Sequence, residues 1–190
     1  MTHPCAMTRV AVLDRHPAVR AGLEATLRAH AGFDSVGSAG DARAALALLY
    51  RTDPDVLVLD DLALARRAKI ESPRVRVVLY AANPSAELIL AAEVAGVDGV
   101  ADKAAATFEL LGILRCVAAG AHAVPEVGPT QQSRVAGRLD PRDRPIFAMR
   151  LAGTSPRDIA DVVGLGIAAL NARIQAIVTQ LVPMAAAQPA

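Results

Sequence analysis

Lysine is almost missing from this chain: of 20 basic residues, only Lys69 and Lys103 are lysines. The surrounding excess of arginine and alanine reads as coding bias, which makes any well-placed lysine informative. Cysteine is scarce too. Cys5 and Cys116 stand far apart without metal-ligand spacing, so they read as buried or incidental thiols rather than a disulfide or ligand pair. The longest apolar runs carry charges and are too short to span a bilayer, and no charged-then-apolar leader pattern opens the chain. A cytosolic protein with no membrane partner is the expectation. An excess of one charge is also lacking: the formal net charge of +1 excludes a strongly basic nucleic-acid coat but leaves room for one local basic face. With 53% hydrophobic and 21% charged residues, the 190-residue chain is not disordered by composition. Its length suits one ordinary domain plus a small one.

From residue 9 onward, short β-branched runs alternate with amphipathic stretches. "RVAVL" reads as a strand, followed by a helix over residues 17 to 30 with Val19, Leu23 and Leu27 on one face. "FDSVGS" is a weaker strand, and "DARAALALLYR" is a helix capped by Asp41. "PDVLVLD" is nearly continuous in apolar residues, as a parallel strand covered on both faces must be. A short helix at about 63 to 70, strand "RVRVVLY", helix "PSAELILAAEVAG", strand "VDGVA" and helix "TFELLGILRCVAAG" complete the series. Five strands alternating with five helices predict right-handed crossovers and one parallel sheet. Residues 8–124 are therefore expected to form an α/β domain.

Composition then changes. Residues 125–138, "PEVGPTQQSRVAGR", read as a linker, and strands stop beyond it. Residues 139–183 are expected to form a small all-α domain. Its first helix starts at Asp143-Arg144 rather than at Asp140-Pro141, because Pro145 would otherwise delete a helical hydrogen bond. Gly153 ends it. "SPRD" begins a second helix with Ser155 as N-cap and Asp158 reaching back, and Gly164 ends that one. A third, over about 167 to 181, turns Leu170, Ile174, Ile177, Val178 and Leu181 inward. Joined by "VGLG", the last two form a helix-turn-helix by pattern. Residues 184–190 read as a frayed tail.

In an open parallel sheet, function gathers at the carboxyl ends of the strands. Asp14, Asp60 (with Asp61), Tyr80 and Lys103 leave the strands there. Two carboxylates and a lysine can bind Mg²⁺ and hold a phosphoryl group. Equally, acids at strand ends can simply cap the following loops. No nucleophile–base pair, glycine-rich phosphate loop or metal-ligand cluster stands out, so no catalytic residue is assigned and an enzyme is not expected.

Taken together, these motifs resemble response regulators of the NarL/FixJ group, with a CheY-like receiver and a LuxR-type helix-turn-helix. "VLDRHPAVRAGL" is similar to that family's acidic first-strand motif, "PDVLVLD" to its phosphoacceptor strand, and "AGVDGVADK" to its fifth strand with lysine. "LDPRDRPIFAMRLAGTSPRDIA" resembles the start of the LuxR-type domain. The resemblance implies a flavodoxin-like, doubly wound five-stranded parallel sheet followed by the helix-turn-helix. It makes Asp60 the phosphoacceptor-like residue and Asp14, Arg15, Tyr80 and Lys103 the receiver pocket.

Several positions depart from the family. Arg15 stands where a second acid is usual, Tyr80 where Ser or Thr ends the fourth strand, and Val100 in place of an aromatic switch. The segment after Asp60 is shortened. A guanidinium in place of a carboxylate removes a magnesium ligand and adds like charge. The Mg²⁺ site is therefore expected to be impaired and no cofactor is assigned, with Arg15 lying against Asp60 in place of the metal, or pointing into solvent. His16, beside Pro17, reads as a loop residue. In the helix-turn-helix, Asn171, Arg173 and Gln175 are the candidate DNA contacts, and the family's fourth helix, generally used for dimerisation, has no counterpart. Leu111, Leu114 or Val117 on the last helix of the α/β domain can extend a homodimer face with the helix over 17 to 30. The expected function is a phosphorylation-independent, DNA-binding transcriptional regulator with a homodimeric receiver. The alternatives are a protein-interaction module that has lost phosphotransfer and DNA binding, or a still phosphorylatable two-component regulator. A sensor kinase or another protein is a further partner in those readings.

Overall fold

The structure is a computed structural model and describes residues 7–182. Its internal contacts group into two compact units. One holds the chain up to Asn83 together with Asp98–Ala123; the other holds Pro84–Val97 and the chain from Val124 onward. The chain passes from the first unit to the second between Ala123 and Val124. Segment 84–97, expected inside the α/β domain, groups instead with the helical end.

In the first unit, β1 (Thr8–Leu13), β2 (Phe33–Ala39), β3 (Val56–Leu59), β4 (Arg76–Ala81) and β5 (Gly99–Asp102) form one parallel sheet in the order β2-β1-β3-β4-β5. This is the flavodoxin-like order, whose switch point lies between β1 and β3. Helices α1 (Pro17–Ala29), α2 (Ala42–Thr52), α3 (Leu62–Glu71) and α5 (Thr107–Ala118) belong to the same unit. Strand pleating splits the apolar runs between two faces. Val10, Val12, Val56, Val58 and Val78 meet Leu23 and Leu27 of α1 and Leu110, Leu114 and Val117 of α5. The alternate residues Ala11, Leu13, Leu57 and Leu59 are buried as well, so β1 and β3 are covered on both faces. Asp41 caps α2 by accepting from the Ala44 amide, and Asp61 caps α3 by accepting from the Leu64 amide. Asp61 is thereby a helix cap and not a pocket residue.

Asp98 is one of the few buried charges, and it is fully provided for. It accepts from Lys69 Nζ at 2.9 Å, Arg76 at 3.0 Å and the Val77 amide at 2.8 Å. Such multiple donation is what makes a desolvated carboxylate tolerable. One of the two lysines is thus structural.

The second unit contains α4 (Ala86–Ala95), α6 (Pro129–Gly137), α7 (Arg144–Leu151), α8 (Pro156–Val163) and α9 (Ile167–Leu181). The stretch expected as a linker therefore contains a helix. Pro129 sits in its first turn, where a missing amide costs nothing, and Val135 is buried beneath it. Arg144 opens α7 with Pro145 in the first turn, as the proline argument requires. Ser155 caps α8 by accepting from the Asp158 amide at 3.2 Å, while its hydroxyl donates to the Asp158 carboxylate at 2.7 Å. The reciprocal half of the capping box thus runs through the serine hydroxyl rather than the backbone amide. Gly164, with φ of 67°, ends α8, and the chain bends by 104° into α9. That angle is characteristic of a helix-turn-helix. Leu170, Ile174, Ile177, Val178 and Leu181 are buried, as expected, and α9 packs on α4, α7 and α8. Leu90, Ala91, Ala92, Val94 and Ala95 of α4 are buried almost consecutively, as in a helix covered on more than one side. That covering is why 84–97 groups with the helical unit. The tail expected at 184–190 lies outside the described residues.

Arg150 of α7 ties two of these helices together. It donates to the Val94 carbonyl at 3.1 Å and to the Thr154 carbonyl at 2.9 Å, and burial lowers its pKa. Gly96 ends α4 with φ of 85°, and a Cβ there would stand 2.9 Å from an Arg150 nitrogen. A Gly96→Ala variant is expected to lose about 1–3 kcal/mol through the left-handed backbone and the displaced arginine. Urea unfolding checks this; an unchanged midpoint would contradict it.

Candidate functional site

β1, β3 and β5 deliver Asp14, Asp60 and Lys103 to one point beside the switch of strand order, because each strand ends one residue before the side chain that matters. Lys103 Nζ donates to the Asp14 carboxylate and lies 3.5 Å from Asp60 Oδ2. Asp14 is buried. Its other oxygen accepts from the His16 amide at 2.8 Å and meets His16 Nδ1 at 2.9 Å. Arg20 reaches the Asp14 carbonyl at 2.7 Å.

Of the two placements open to Arg15, against Asp60 or into solvent, the structure has the second, so Arg15 is not a pocket residue. Its side chain is exposed and makes no ion pair with Asp60 among the described residues. The cation against the two carboxylates is Lys103 instead. Position 15 follows a buried residue at the strand end, and the chain there turns its side chain outward while the backbone folds over Asp14 through the His16 amide. The sequence reading also placed His16 in the loop without a role; in the structure its ring is a direct partner of Asp14. The signal that would have found it is its position two residues after an acid at a strand end, the spacing of an Asx-type turn.

Tyr80 is half-buried with its ring centroid 5.5 Å from Lys103 Nζ. With Val19, Leu23, Thr26 and Leu110 it lines a recess of about 250 Å³. Burial raises the phenol pKa, so this ring fills space beside the pocket as an un-ionised group. Val100 is buried.

Receivers of this fold hold Mg²⁺ at this place. Mg²⁺ takes oxygen ligands in near-octahedral order and keeps several waters. Here one side chain at the site is an imidazole, the residue expected to be a second acid is an outward-facing arginine, and both carboxylates already hold an ammonium. The residues present do not fit a dedicated magnesium site.

In the helical unit, Asn171, Arg173 and Gln175 lie on α9 but not on its open face; all three are half-buried. Arg173 pairs with Asp143 at 3.3 Å, and the Gln175 amide lies 3.5 Å from the Thr179 hydroxyl. The exposed face instead carries Ile167, Ala168, Ala169, Ala172 and Ala176. The dimer-face expectation is corrected too. Leu111, Leu114 and Val117 are buried against the sheet, and the exposed apolar side chain of α5 is Phe108, 72% exposed. Cys116 is an exposed free thiol, and Cys5 lies outside the described residues.

No protein-family model matches the chain. It is similar to the transcriptional regulatory protein MctR of Rhizobium johnstonii, 28% identical over 170 residues that span 83% of this chain and 79% of that protein. It is also similar to the DNA-binding transcriptional activator DevR/DosR of Mycobacterium tuberculosis, 33% identical over 121 residues, 60% of this chain and 56% of that protein. Among solved structures, RcsB from Salmonella enterica serovar Typhimurium, bound to promoter P1flhDC with phosphomimetic BeF3⁻, matches with a TM-score of 0.61. It is 21% identical, covers 92% of this chain and 91% of that one, and shows the fold. The resemblance to response regulators therefore holds: a receiver-type α/β sheet is followed by a helical helix-turn-helix end. The chain is thus similar to transcriptional regulators of the response-regulator type. Among the described residues, no single helix is long and apolar enough to cross a membrane.

The two acids titrate apart. Burial alone would raise Asp14, but Lys103 and His16 outweigh it and hold the carboxyl below its usual range. Asp60 goes up, through burial first and the Asp14 charge second, with Lys103 offsetting only part. Stability from Asp14 is fully present above the unfolded value of about 3.9 and fades as pH falls through the lower folded value. For Asp60 the sign reverses: its ionised form costs stability at neutral pH, and the cost is relieved as pH falls through the raised folded value. Asp60→Asn is expected to raise stability at pH 7 by up to about 1 kcal/mol, with the gain shrinking toward pH 4. Lys103→Met is expected to cost about 1–3 kcal/mol at pH 7, because it leaves two adjacent carboxylates uncompensated. Urea midpoints across pH test both, and an Asp60→Asn variant less stable than the parent at pH 7 would contradict the assignment.

Proposed function

We propose that the chain is a DNA-binding transcriptional regulator whose receiver works without phosphorylation. The observation that carries this reading is the Lys103 ammonium held between Asp14 and Asp60 while position 15 supplies a cation in place of an acid. Phosphoryl transfer to a carboxylate needs a metal ion to neutralise incoming charge and an ionised, accessible acceptor. Here burial and the adjacent Asp14 charge raise the Asp60 pKa, and the donor set is wrong for Mg²⁺. The regulator reading therefore needs no magnesium and no sensor kinase, and a cytosolic location goes with it.

The relatives favour DNA as the partner, since DevR/DosR is named as DNA-binding and RcsB is seen on a promoter. In this reading the α8–α9 pair enters the major groove. Its electrostatic support is thin. Of seven arginines beyond residue 130, Arg138, Arg144, Arg150 and Arg173 are engaged within the unit. Arg134, Arg142 and Arg157 remain exposed for phosphates. Dimerisation through the receiver doubles that number, and the RcsB neighbours are seen as dimers on DNA. Phe108 beside the α1–α5 recess is the exposed apolar anchor available for it.

A protein-interaction module is the second reading. It is favoured by the alanine-rich outer face of α9, where Ile167 is 51% exposed and no charge is offered to a base edge, and by Val162 of α8, 72% exposed.

Two measurements separate the readings. Incubation with a small phosphodonor and Mg²⁺, followed by intact-mass analysis, is expected to leave the protein unmodified; stoichiometric phosphoryl-aspartate would restore the phosphorylatable regulator. Fluorescence anisotropy on non-specific duplex is expected to show binding at low salt with a log–log slope of about −3 per protomer, from three phosphate contacts. Absence of binding at any salt favours the interaction module.

A further inference from the structure

In the second helix of a helix-turn-helix, the side chains of the first turns are the ones that meet base edges, while the first helix crosses the sugar-phosphate backbone. Arg157, in the first turn of α8, is exposed where such a crossing needs a cation. On α9 the polar side chains are turned away from the outer face. Asn171, Arg173 and Gln175 are half-buried, and Arg173, the one charge of the helix, is paired with Asp143 at 3.3 Å. What α9 presents outward from its first turn is Ile167, 51% exposed, followed by Ala168, Ala169, Ala172 and Ala176. From 167 to 176 a helix rises about 14 Å, the length of about four base pairs. Guanine, adenine and cytosine are read in the major groove through donors and acceptors. Thymine alone adds an apolar group there, its C5 methyl.

We infer that α9 reads thymine C5 methyl groups in the major groove, with Ile167 and the outward alanines as the specificity-determining contacts and thymine-containing half-sites as the DNA it selects. This rests on the regulator reading, which supplies the DNA. A side chain without donor or acceptor gains nothing from a base-edge nitrogen or oxygen, but it gains from covering a methyl group. Alanine is short enough to let the helix backbone approach closely, and it leaves room for waters on the polar edges alongside. A guanine–cytosine pair in the same place forfeits the methyl contact and sets its own donors and acceptors against apolar surface, where any that lose their water go unpaired. Ile167 is the largest of the outward side chains and stands in the first turn, so it covers the most methyl surface. Arg134, Arg142 and Arg157 hold phosphates and carry no sequence information, so affinity and selectivity rest on different side chains.

Selection of duplexes from a randomised pool by the full chain, then fluorescence anisotropy on the enriched duplex, tests this. Enriched half-sites are expected to carry thymines within a stretch of about four base pairs. Replacing these thymines by uracil removes the methyl groups and leaves base pairing unchanged. Each replacement at a contacted position is expected to weaken binding about three- to fivefold, the factor that one buried methyl-sized group carries. Exchanging a contacted T·A pair for C·G is expected to weaken binding further, and 5-methylcytosine in that pair to recover the share of the methyl. Recognition of minor-groove shape would show no such recovery. Ile167→Ala is expected to weaken binding to the thymine duplex about threefold and to leave the uracil duplex nearly unchanged, a coupling that a merely structural role does not produce. The salt dependence is expected to be the same on both duplexes, because the phosphate contacts are the same. Absence of binding to every duplex at any salt would overturn the regulator reading and the methyl readout together. DNA binding without enrichment of thymine-containing sites, equal affinity for thymine and uracil duplexes, or an equal Ile167→Ala loss on both would overturn the methyl readout alone.

Discussion

Two carboxylates from different strands face one another across the switch point, and a single ammonium keeps them there. At about 4 Å and an effective dielectric near 20, two like charges repel by about 4 kcal/mol. Lys103 meets that repulsion by donating to Asp14 and standing near Asp60. Its position is a product of topology. The order β2-β1-β3-β4-β5 sets β1 beside β3, while Lys103 reaches over from the turn after β5, where its backbone amide bonds to the Ala81 carbonyl. The parallel register then carries Asp14 and Asp60 to the same level, one residue past the paired Leu13 and Leu59. The pocket is a consequence of the sheet being closed on both faces by apolar side chains. It also has a consequence of its own: the Asp14 pKa is lowered while the Asp60 pKa is raised.

The helical unit divides its side chains just as strictly. The inward face of α9 is spent on packing against α4, α7 and α8, and its only charge is held by Asp143. What is left outward is Ile167 and four alanines over the first part of the helix, with Thr179 and Gln180 at its end. Sequence discrimination by such a face rests on shape and on contact with thymine methyls rather than on bidentate hydrogen bonds.

Much of this was legible in the residues. The continuous apolar run of β3, the alternation of strand and helix and the Asp14, Asp60 and Lys103 positions followed from periodicity and from the ends of the strands. The caps at Asp41 and Ser155, the start of α7 set by Pro145 and the five buried side chains of α9 followed from local chemistry. What was not legible depended on direction rather than type. Arg15 could turn inward to Asp60 or outward to solvent, and chain direction after a strand end is decided by the turn, which gives Asp14 to the His16 amide. Val117 and its neighbours on α5 could be read as surface or core, and only the sheet beneath them decides. The α6 helix was hidden in a stretch rich in proline and glycine, where Pro129 in fact starts a helix. The grouping of α4 with the distant helical end is a long-range contact that no local pattern records.

The bridging lysine is open to direct observation. Carbon-detected NMR titration of the aspartate carboxyls, on protein labelled at aspartate, reports Asp14 and Asp60 individually, with Lys103→Met as the reference. The expected result is two well-separated titrations, Asp14 below and Asp60 above the ordinary aspartate range, with Asp14 moving upward when Lys103 is lost. Both carboxyls titrating together in the ordinary range, indifferent to the lysine, would contradict it.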